Sequence, residues 1–414
     1  MLPASVMGFI MKANKGKRWL LVLVCVLGLT AAAVPCWAEG ALTAGPLKLH
    51  GQLMGTWQNR SNIFLTENNK TADNIYRLEP VLGVRHDLTS TSWWSLEYQG
   101  IFAWYNSNNS NDWQSHLGSF DSRFGGKTGP YVQLKNVYQK TEDPFGSENL
   151  YRLGEKTKRQ MNNFRVAPGY QLGEKSQVEV FYENLFTKYD LDRDKSQNQR
   201  ENRFGGTYYH KFWAKTSALV QYRYVTREYY DQPSSLAEDF KRQDAFVGLR
   251  WDATAKLRGE AKIGYSWQDY DNEFNPAGQK YDKKADVAAE VDLTYQATTK
   301  TTLMLGVERN IKESTYINSN YYIDTNASLG IRYQLFTNIM VLAKGTIGKN
   351  EYNNIGVGTT SRDDNVYKLD LGAEYSFLKY MFLRGGYTMD KKDSNLTGLS
   401  YTDDIFYVSL GGRF

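Results

Sequence analysis

The stretch ADVAAEVDLTY, residues 285–295, alternates between apolar and polar side chains with a period of two. Its odd-numbered positions carry Ala, Val, Leu and Tyr, whereas its even-numbered positions include Asp286, Glu290 and Asp292. Successive side chains of a β-strand point to opposite faces, so a strand places all three carboxylates on one face. A helix would scatter them around its circumference. The stretch therefore predicts a strand with one apolar face and one charged face.

Comparable alternation recurs along the chain, for instance over residues 47–57, 257–268 and 368–377. The apolar faces tend to finish in an aromatic residue, as they would at a membrane interface. The chain holds 30 Tyr, 19 Phe and 10 Trp, yet its mean hydropathy is −0.57. That combination is typical of a barrel with aromatic girdles and a wet lumen. A soluble β-sandwich would bury the charged faces in a dry core, at a large cost in free energy.

These strands predict an all-β fold: a transmembrane, antiparallel, up-and-down β-barrel with short periplasmic turns and long extracellular loops. We count 18 strands, with 16 as the alternative because the stretch 107–165 is ambiguous. An even number places both termini on the periplasmic side. The predicted strands start near residues 47, 76, 92, 131, 149, 163, 176, 201, 216, 242, 255, 283, 301, 322, 339, 362, 379 and 401.

The first 38 residues have the order of a cleavable secretory signal peptide. Basic residues precede an apolar run at 19–34, and a small-residue cleavage site ends at Ala38. A membrane anchor is the alternative, although the apolar run is short for a membrane span. The barrel domain is then 39–414, and both cysteines, Cys25 and Cys36, fall within the signal. With 46 basic and 45 acidic residues outside the signal, the net charge is +1, which indicates no nucleic-acid partner.

The C-terminal strand has an apolar or aromatic residue at alternate positions and ends in an aromatic residue. Its outward candidates are Phe406, Val408, Leu410 and Phe414. The pattern resembles the C-terminal signature of bacterial outer-membrane β-barrels, which implies recognition by the barrel-assembly machinery through strand addition. The chain as a whole resembles porins and the porin-like barrels that accompany exopolysaccharide export systems. The resemblance is one of pattern, so no substrate site is carried over from it.

Charged residues on the polar faces are the lumen-lining candidates. Their signs are mixed, so we expect no strong net ion selectivity. Acidic positions cluster on the strand with Asp286 and arginines cluster around 203–227, which predicts opposed patches with a field across the pore. A solvated lumen by itself accounts for such residues as well. The candidates are Arg77, Glu79, Arg85, Glu97, Arg203, Arg223, Arg258, Glu260, Lys262, Asp286, Glu290, Asp292, Arg332, Lys368, Asp370, Glu374 and Arg384.

The longest predicted loop, 106–129, is a candidate constriction. It carries Asp112, Trp113, Asp121 and Arg123, whose side chains would narrow the pore if the loop folds inward. Loops of this length are often functional. The alternative is a loop that stays at the outer surface.

Passage of hydrophilic solutes across the outer membrane is the function that a barrel of 16 to 18 strands favours, because such a barrel leaves an aqueous channel. One alternative is a conduit for exopolysaccharide export with periplasmic export proteins, in which Tyr209, Tyr407 and Gln268 contact sugar rings. Another is a sleeve around a multihaem cytochrome. In each case we expect the outer face of the barrel to contact outer-membrane lipid.

An enzyme is not expected. The chain has four histidines, none with Asp or Glu at metal-ligand spacing, and it has no nucleophile-elbow motif. The sequence also lacks the Cys-x-x-Cys-His motif for covalent haem. We therefore expect no cofactor and no metal.

Overall fold

The strands of the barrel follow one another along the chain with little other regular structure between them. A computed structural model describes residues 42–142, 156–232, 238–252, 255–274, 278, 280–281, 283–314, 319, 321–353 and 360–414. The strands are β1 Leu42–Ala44, β2 Leu47–Arg60, β3 Asp73–Asp87, β4 Trp93–Tyr105, β5 Trp113–Gly125, β6 Gly129–Thr141, β7 Arg159–Leu172, β8 Ser176–Tyr189, β9 Gln199–Trp213, β10 Thr216–Glu228, β11 Phe240–Trp251, β12 Leu257–Tyr270, β13 Lys284–Gln296, β14 Thr301–Glu313, β15 Tyr321–Phe336, β16 Ile339–Tyr352, β17 Asp363–Leu378, β18 Met381–Ser394 and β19 Tyr401–Arg413. Among the described residues, two short 3-10 helices, Asn109–Asn111 and Asp192–Gln197, lie in loops.

Each strand from β2 to β19 pairs antiparallel with its neighbours in sequence, and β19 returns to pair with β2. The result is a closed barrel of 18 strands, to which the three-residue β1 adds a short extra pairing on β2. At the closure, the Phe414 amide donates to the Gly51 carbonyl oxygen at 3.0 Å. Closure leaves no edge strand, so most backbone groups of the wall are paired with a neighbouring strand rather than exposed to lipid.

The register divides the side chains into two sets, because directly opposed residues share a face. One face carries exposed apolar residues, such as Val220, Ile263 and Ile347 at 58%, 59% and 63% exposure. The opposite face carries the charged and polar residues that pair with one another across the strands. The apolar face is therefore the outside, which contacts lipid, and the charged face lines the lumen.

The predicted fold class and the count of 18 strands are confirmed. Seventeen of the predicted starts lie within four residues of an observed strand start, and the one at 149 lies outside the described residues. The prediction that 106–129 is a loop is wrong, because Trp113–Gly125 forms β5. The outward positions of β5 are Gln114, His116, Gly118, Phe120, Ser122 and Phe124, so only two of the six carry large apolar side chains and the alternation is weak.

Inside the barrel, aromatic rings lie flat against the wall over glycines of the neighbouring strand. Phe181 covers Gly205, and a Cβ atom at Gly205 would overlap that ring and approach the Tyr222 carbonyl oxygen at 2.8 Å. The Arg165 guanidinium lies over the Phe181 ring, 4.1 Å from its centre. The ring is thus held between wall and cation, which keeps an apolar group out of the water in the lumen.

We expect Gly205→Ala to destabilise the barrel by about 1–3 kcal/mol, because the added methyl group must displace the ring or the backbone. The change should appear as a lower midpoint of urea unfolding in lipid vesicles. Gly118→Ala is the control, since no atom lies within 4 Å of its Cβ position. Equal midpoints for the two variants would show that the ring moves aside freely.

Candidate functional site

All seventeen lumen-lining candidates occupy positions on the inner face. The register links them across the wall, for example through Glu374 opposite Arg384, and Arg384 opposite Ser409. The outward candidates of the C-terminal strand are on the other face, with Phe406 and Val408 exposed. The Phe414 ring lies over Gly51 at the closure. Recognition of this strand by the assembly machinery stays a prediction, and the signal peptide lies outside the described residues.

A cavity of about 1460 Å³ runs along the inner wall. It is lined mainly by β7 to β15, from the short-turn end towards the long-loop end. Its lining includes eleven Lys or Arg residues and seven Asp or Glu residues. Seven of the candidates line it: Arg203, Arg223, Arg258, Glu260, Lys262, Glu290 and Asp292.

The charges deep in this cavity neutralise one another through ion pairs. Arg223 contacts Asp244 at 2.7 Å and Glu290 at 3.2 Å, and Lys262 contacts Glu290 at 2.7 Å. The acidic strand β13 is thus in direct contact with cations of β10 and β12. The acidic and basic patches meet along one part of the wall, so the predicted arrangement of patches facing each other across the pore is not what the chain adopts here.

A second tier of buried pairs lies nearer the long-loop end. The Glu201 carboxylate binds Arg203 and Arg227, each at 2.5 Å. Arg242 contacts Asp244 at 3.2 Å, and both residues are buried. Because each carboxylate is shared between two cations, these charges fix side chains in place and leave little net field for a passing ion.

Most remaining candidates are also paired. Arg77 contacts Glu79 at 3.2 Å, Arg85 contacts Asp87 at 2.8 Å, and Glu97 contacts His50 at 2.9 Å. Glu374 binds Arg384 at 2.6 Å and Arg413 at 2.9 Å, Glu260 lies 3.4 Å from Arg250, and Asp370 accepts a hydrogen bond from Thr388 at 2.9 Å. Within the described residues, no ion pair joins a partner to Arg258, Asp292, Arg332 or Lys368.

The constriction candidates are inside the barrel, but as wall residues. Trp113, Asp121 and Arg123 belong to the inner face of β5, and the Arg123 guanidinium lies 4.0 Å from the Tyr131 ring centre. Asp112 directly precedes β5 and accepts a hydrogen bond from the Tyr105 amide at 2.7 Å. These residues therefore do not form an inward-folded loop.

The loop that does fold inward is 61–72, between β2 and β3. Its Ile63 is fully buried and packs on the inner-face residues Ile75, Ala103 and Tyr105, with Phe64 and Trp113 beside it. The sequence signal for this packing is the apolar run Ile63-Phe64-Leu65 within a largely polar loop. This loop covers part of the long-loop mouth.

The described ends of β14 and β15, residues 310–313 and 321–323, also enter the lumen, and we refer to them as the β14–β15 hairpin tip. Ile311, Lys312 and Tyr322 line the cavity. The Ile311 carbonyl oxygen accepts a hydrogen bond from Arg242 Nη1 at 3.3 Å, although β11 and β14 are not neighbours in the sheet. No feature of the sequence predicts this contact. The long-loop end is thus narrowed by two elements, a loop and a hairpin tip.

The described residues offer no cluster of three or more His, Cys, Asp or Glu able to hold a metal ion. No helix among them is long and apolar enough to cross a membrane.

An apolar outer surface, a charged interior and 18 closed strands define a porin-like barrel of the outer membrane. The chain belongs to the family described as "Putative beta-barrel porin 2", whose sequence model matches residues 37–414.

Some solved structures align with this chain at low sequence identity. The outer membrane protein OpdK of Pseudomonas aeruginosa aligns at 9% identity and a TM-score of 0.46, covering 89% of this chain and 99% of that one. A ferric enterobactin receptor mutant from the same organism, PfeA, aligns at 10% identity and a TM-score of 0.43, covering 90% and 82%. A search of curated proteins finds no match.

Proposed function

We propose that the protein is a passive channel for small hydrophilic solutes. The observation that supports this most directly is the cavity of about 1460 Å³ with a polar, charged lining on the inner face of the barrel. Solutes would cross by diffusion through water in the lumen, and the two inward elements would limit their size. The mechanism needs neither catalysis nor a cofactor.

Charge preference in this channel should come from residues outside the ion-paired tiers. Lys175, Lys211 and Arg258 line the cavity near the short turns, and no carboxylate of the described residues forms an ion pair with them. Asp292 and Glu174 line the same region, and no ion pair of the described residues includes either of them. We therefore propose a modest preference for anions, set at the short-turn end, where charges are exposed to passing ions.

The two alternatives have less support. Tyr209, a candidate for stacking on sugars, is buried, and the Arg250 guanidinium covers its ring at 3.6 Å. Gln268 is also buried. These groups are not presented to a polysaccharide. A sleeve around a cytochrome requires an open interior, which the loop 61–72 and the hairpin tip partly occupy.

The purified protein should form conducting pores in planar bilayers. Asp292→Lys should shift the reversal potential in a salt gradient towards anion selectivity, because it replaces an unpaired carboxylate with a cation in the same water. Val291→Thr, on the outer face of the same strand, is the control and should leave selectivity unchanged. Absence of conductance would contradict the channel function, whereas conductance with unchanged selectivity would contradict only the role of Asp292.

A further inference from the structure

The wall of the barrel has a seam between β13 and β14. These strands pair from Gln296 opposite Thr302 only as far as Ala289 opposite Arg309. Their other neighbours continue further, since β12 pairs with β13 as far as Lys284 and β14 pairs with β15 as far as Glu313. Across the seam, the facing edges at 284–288 and 310–313 are therefore not paired with each other.

Beyond the seam, β14 turns into the lumen. Ile311 lies opposite Ile323 in the register and belongs to the outer set by its position. It is nevertheless buried in a cluster with Val225 and Phe240, which are inner-face residues of β10 and β11. The hydrogen bond from Arg242 to the Ile311 carbonyl oxygen holds the backbone of β14 at this inward position as well. The hairpin tip has thus left the wall and packs across the interior.

Side chains bridge the gap that remains. Arg309 donates to Asp286 of β13 at 3.1 Å and to Thr325 of β15 at 2.5 Å. The Val287 amide donates to the Asp286 carboxylate at 2.7 Å, in place of a carbonyl on β14. The Asp286 carboxylate therefore binds the Val287 amide, which would otherwise be free to donate to a carbonyl oxygen of β14.

The sequence is also compatible with a wall in which β13 and β14 remain paired across the seam. Continuing the existing register places Val287 opposite Ile311 on the outer face and Asp286 opposite Lys312 on the inner face. The first is an apolar pair facing lipid and the second is an ion pair facing water, so both obey the pattern of the rest of the wall. The chain can therefore form two arrangements, each with its own set of contacts.

We propose that the β14–β15 tip is a gate that alternates between these arrangements. In the folded-in arrangement, Ile311 and the Arg242 hydrogen bond hold the tip inside the lumen and narrow the pore. In the paired arrangement, residues 310–313 extend the ladder with β13 and the pore widens. Asp286, which also contacts Lys284 at 3.2 Å in the folded-in arrangement, exchanges Arg309 for Lys312 in this change.

A double variant, Val287→Cys with Ile311→Cys, tests this gate. The only cysteines in the sequence, Cys25 and Cys36, lie in the predicted signal, so the introduced pair would be alone in the mature barrel. In the folded-in arrangement one residue is exposed on the outer face and the other is buried in the lumen. We expect oxidation to link them, as a mobility shift on gels, and to raise the single-channel conductance above that of the same protein after reduction.

The matched control is Val291→Cys with Val307→Cys, a pair already opposed in the ladder. It lies four residues further along the same strand and on the same face, so it shares the hydrogen-bonding type of the test pair. It should link without changing conductance. The single variant Ile311→Cys measures the effect of losing the apolar side chain. A control that links while the test pair does not, or a linked test pair with unaltered conductance, would overturn the gate. The gel readout does not depend on the proposed channel function.

Discussion

Val291→Arg is expected to destabilise the barrel in a lipid bilayer by about 2–4 kcal/mol. Val291 lies in the middle of β13, opposite Ala261 and Val307, on the face that contacts lipid. An Arg there must bring its guanidinium into hydrocarbon or distort the surrounding bilayer. The free energy of unfolding, measured by reversible urea titration in vesicles, should fall by that amount.

The neighbouring variant Asp292→Arg is the matched control, because the same side chain enters the lumen one residue further along. It should change the free energy of unfolding by less than about 1 kcal/mol, since the inner face is solvated. The reverse result, with Asp292→Arg destabilising and Val291→Arg neutral, would mean that the faces of the wall are inverted.

The assignment of faces is the part of this fold that the sequence predicts best. Lipid outside and water inside impose opposite requirements on alternate residues, so each strand carries its orientation in its own sequence. For this reason the inner set, including Asp286, Glu290 and Asp292, could be identified without knowing which strands are neighbours. The same pattern also predicts seventeen of the eighteen wall strands, with β5 as the exception.

The strand β5 shows where that pattern fails. His116 is on its outer face but donates to or accepts from the Tyr98 hydroxyl at 2.9 Å and packs against Phe102. Ser122 is buried and donates to the Leu134 carbonyl oxygen at 3.3 Å. Polar residues such as these interrupt the outer face, which keeps only Phe120 and Phe124 as large apolar side chains, so the local sequence predicts a loop.

The narrowing of the lumen could not be predicted for a different reason. Loop 61–72 and the β14–β15 tip are held by residues distant in sequence, such as Asp403 and Arg242. For the hairpin tip, continued pairing of β14 with β13 would fit the alternation of apolar and polar residues equally well. The local sequence therefore does not distinguish the folded-in arrangement from the paired one. The ion pairs of the lumen could not be predicted either. The sequence shows which charged residues face inward, but it does not show which of them form pairs.

Asp403→Ala is expected to destabilise the barrel by about 3–5 kcal/mol, the cost typical of removing one partner from a buried ion pair. Asp403 is fully buried and accepts hydrogen bonds from Arg60 Nε at 2.8 Å and from the Asn62 amide at 2.9 Å. Its loss leaves the buried Arg60 guanidinium without this carboxylate. It also removes the anchor of loop 61–72, so conductance should rise as the loop leaves the mouth.

Asp393→Ala is the control, because its 2.7 Å ion pair with Lys391 is exposed and should contribute less than about 1 kcal/mol.

The double variant Arg60→Met with Asp403→Leu separates the two roles of Asp403. Replacing both charges with apolar side chains should restore much of the stability, since neither member of this ion pair is then left buried without the other. It should not restore the loop, since the Asn62 amide still lacks its acceptor. If the double variant regains both stability and the low conductance, then packing of Ile63 holds the loop, and the carboxylate contributes only charge compensation.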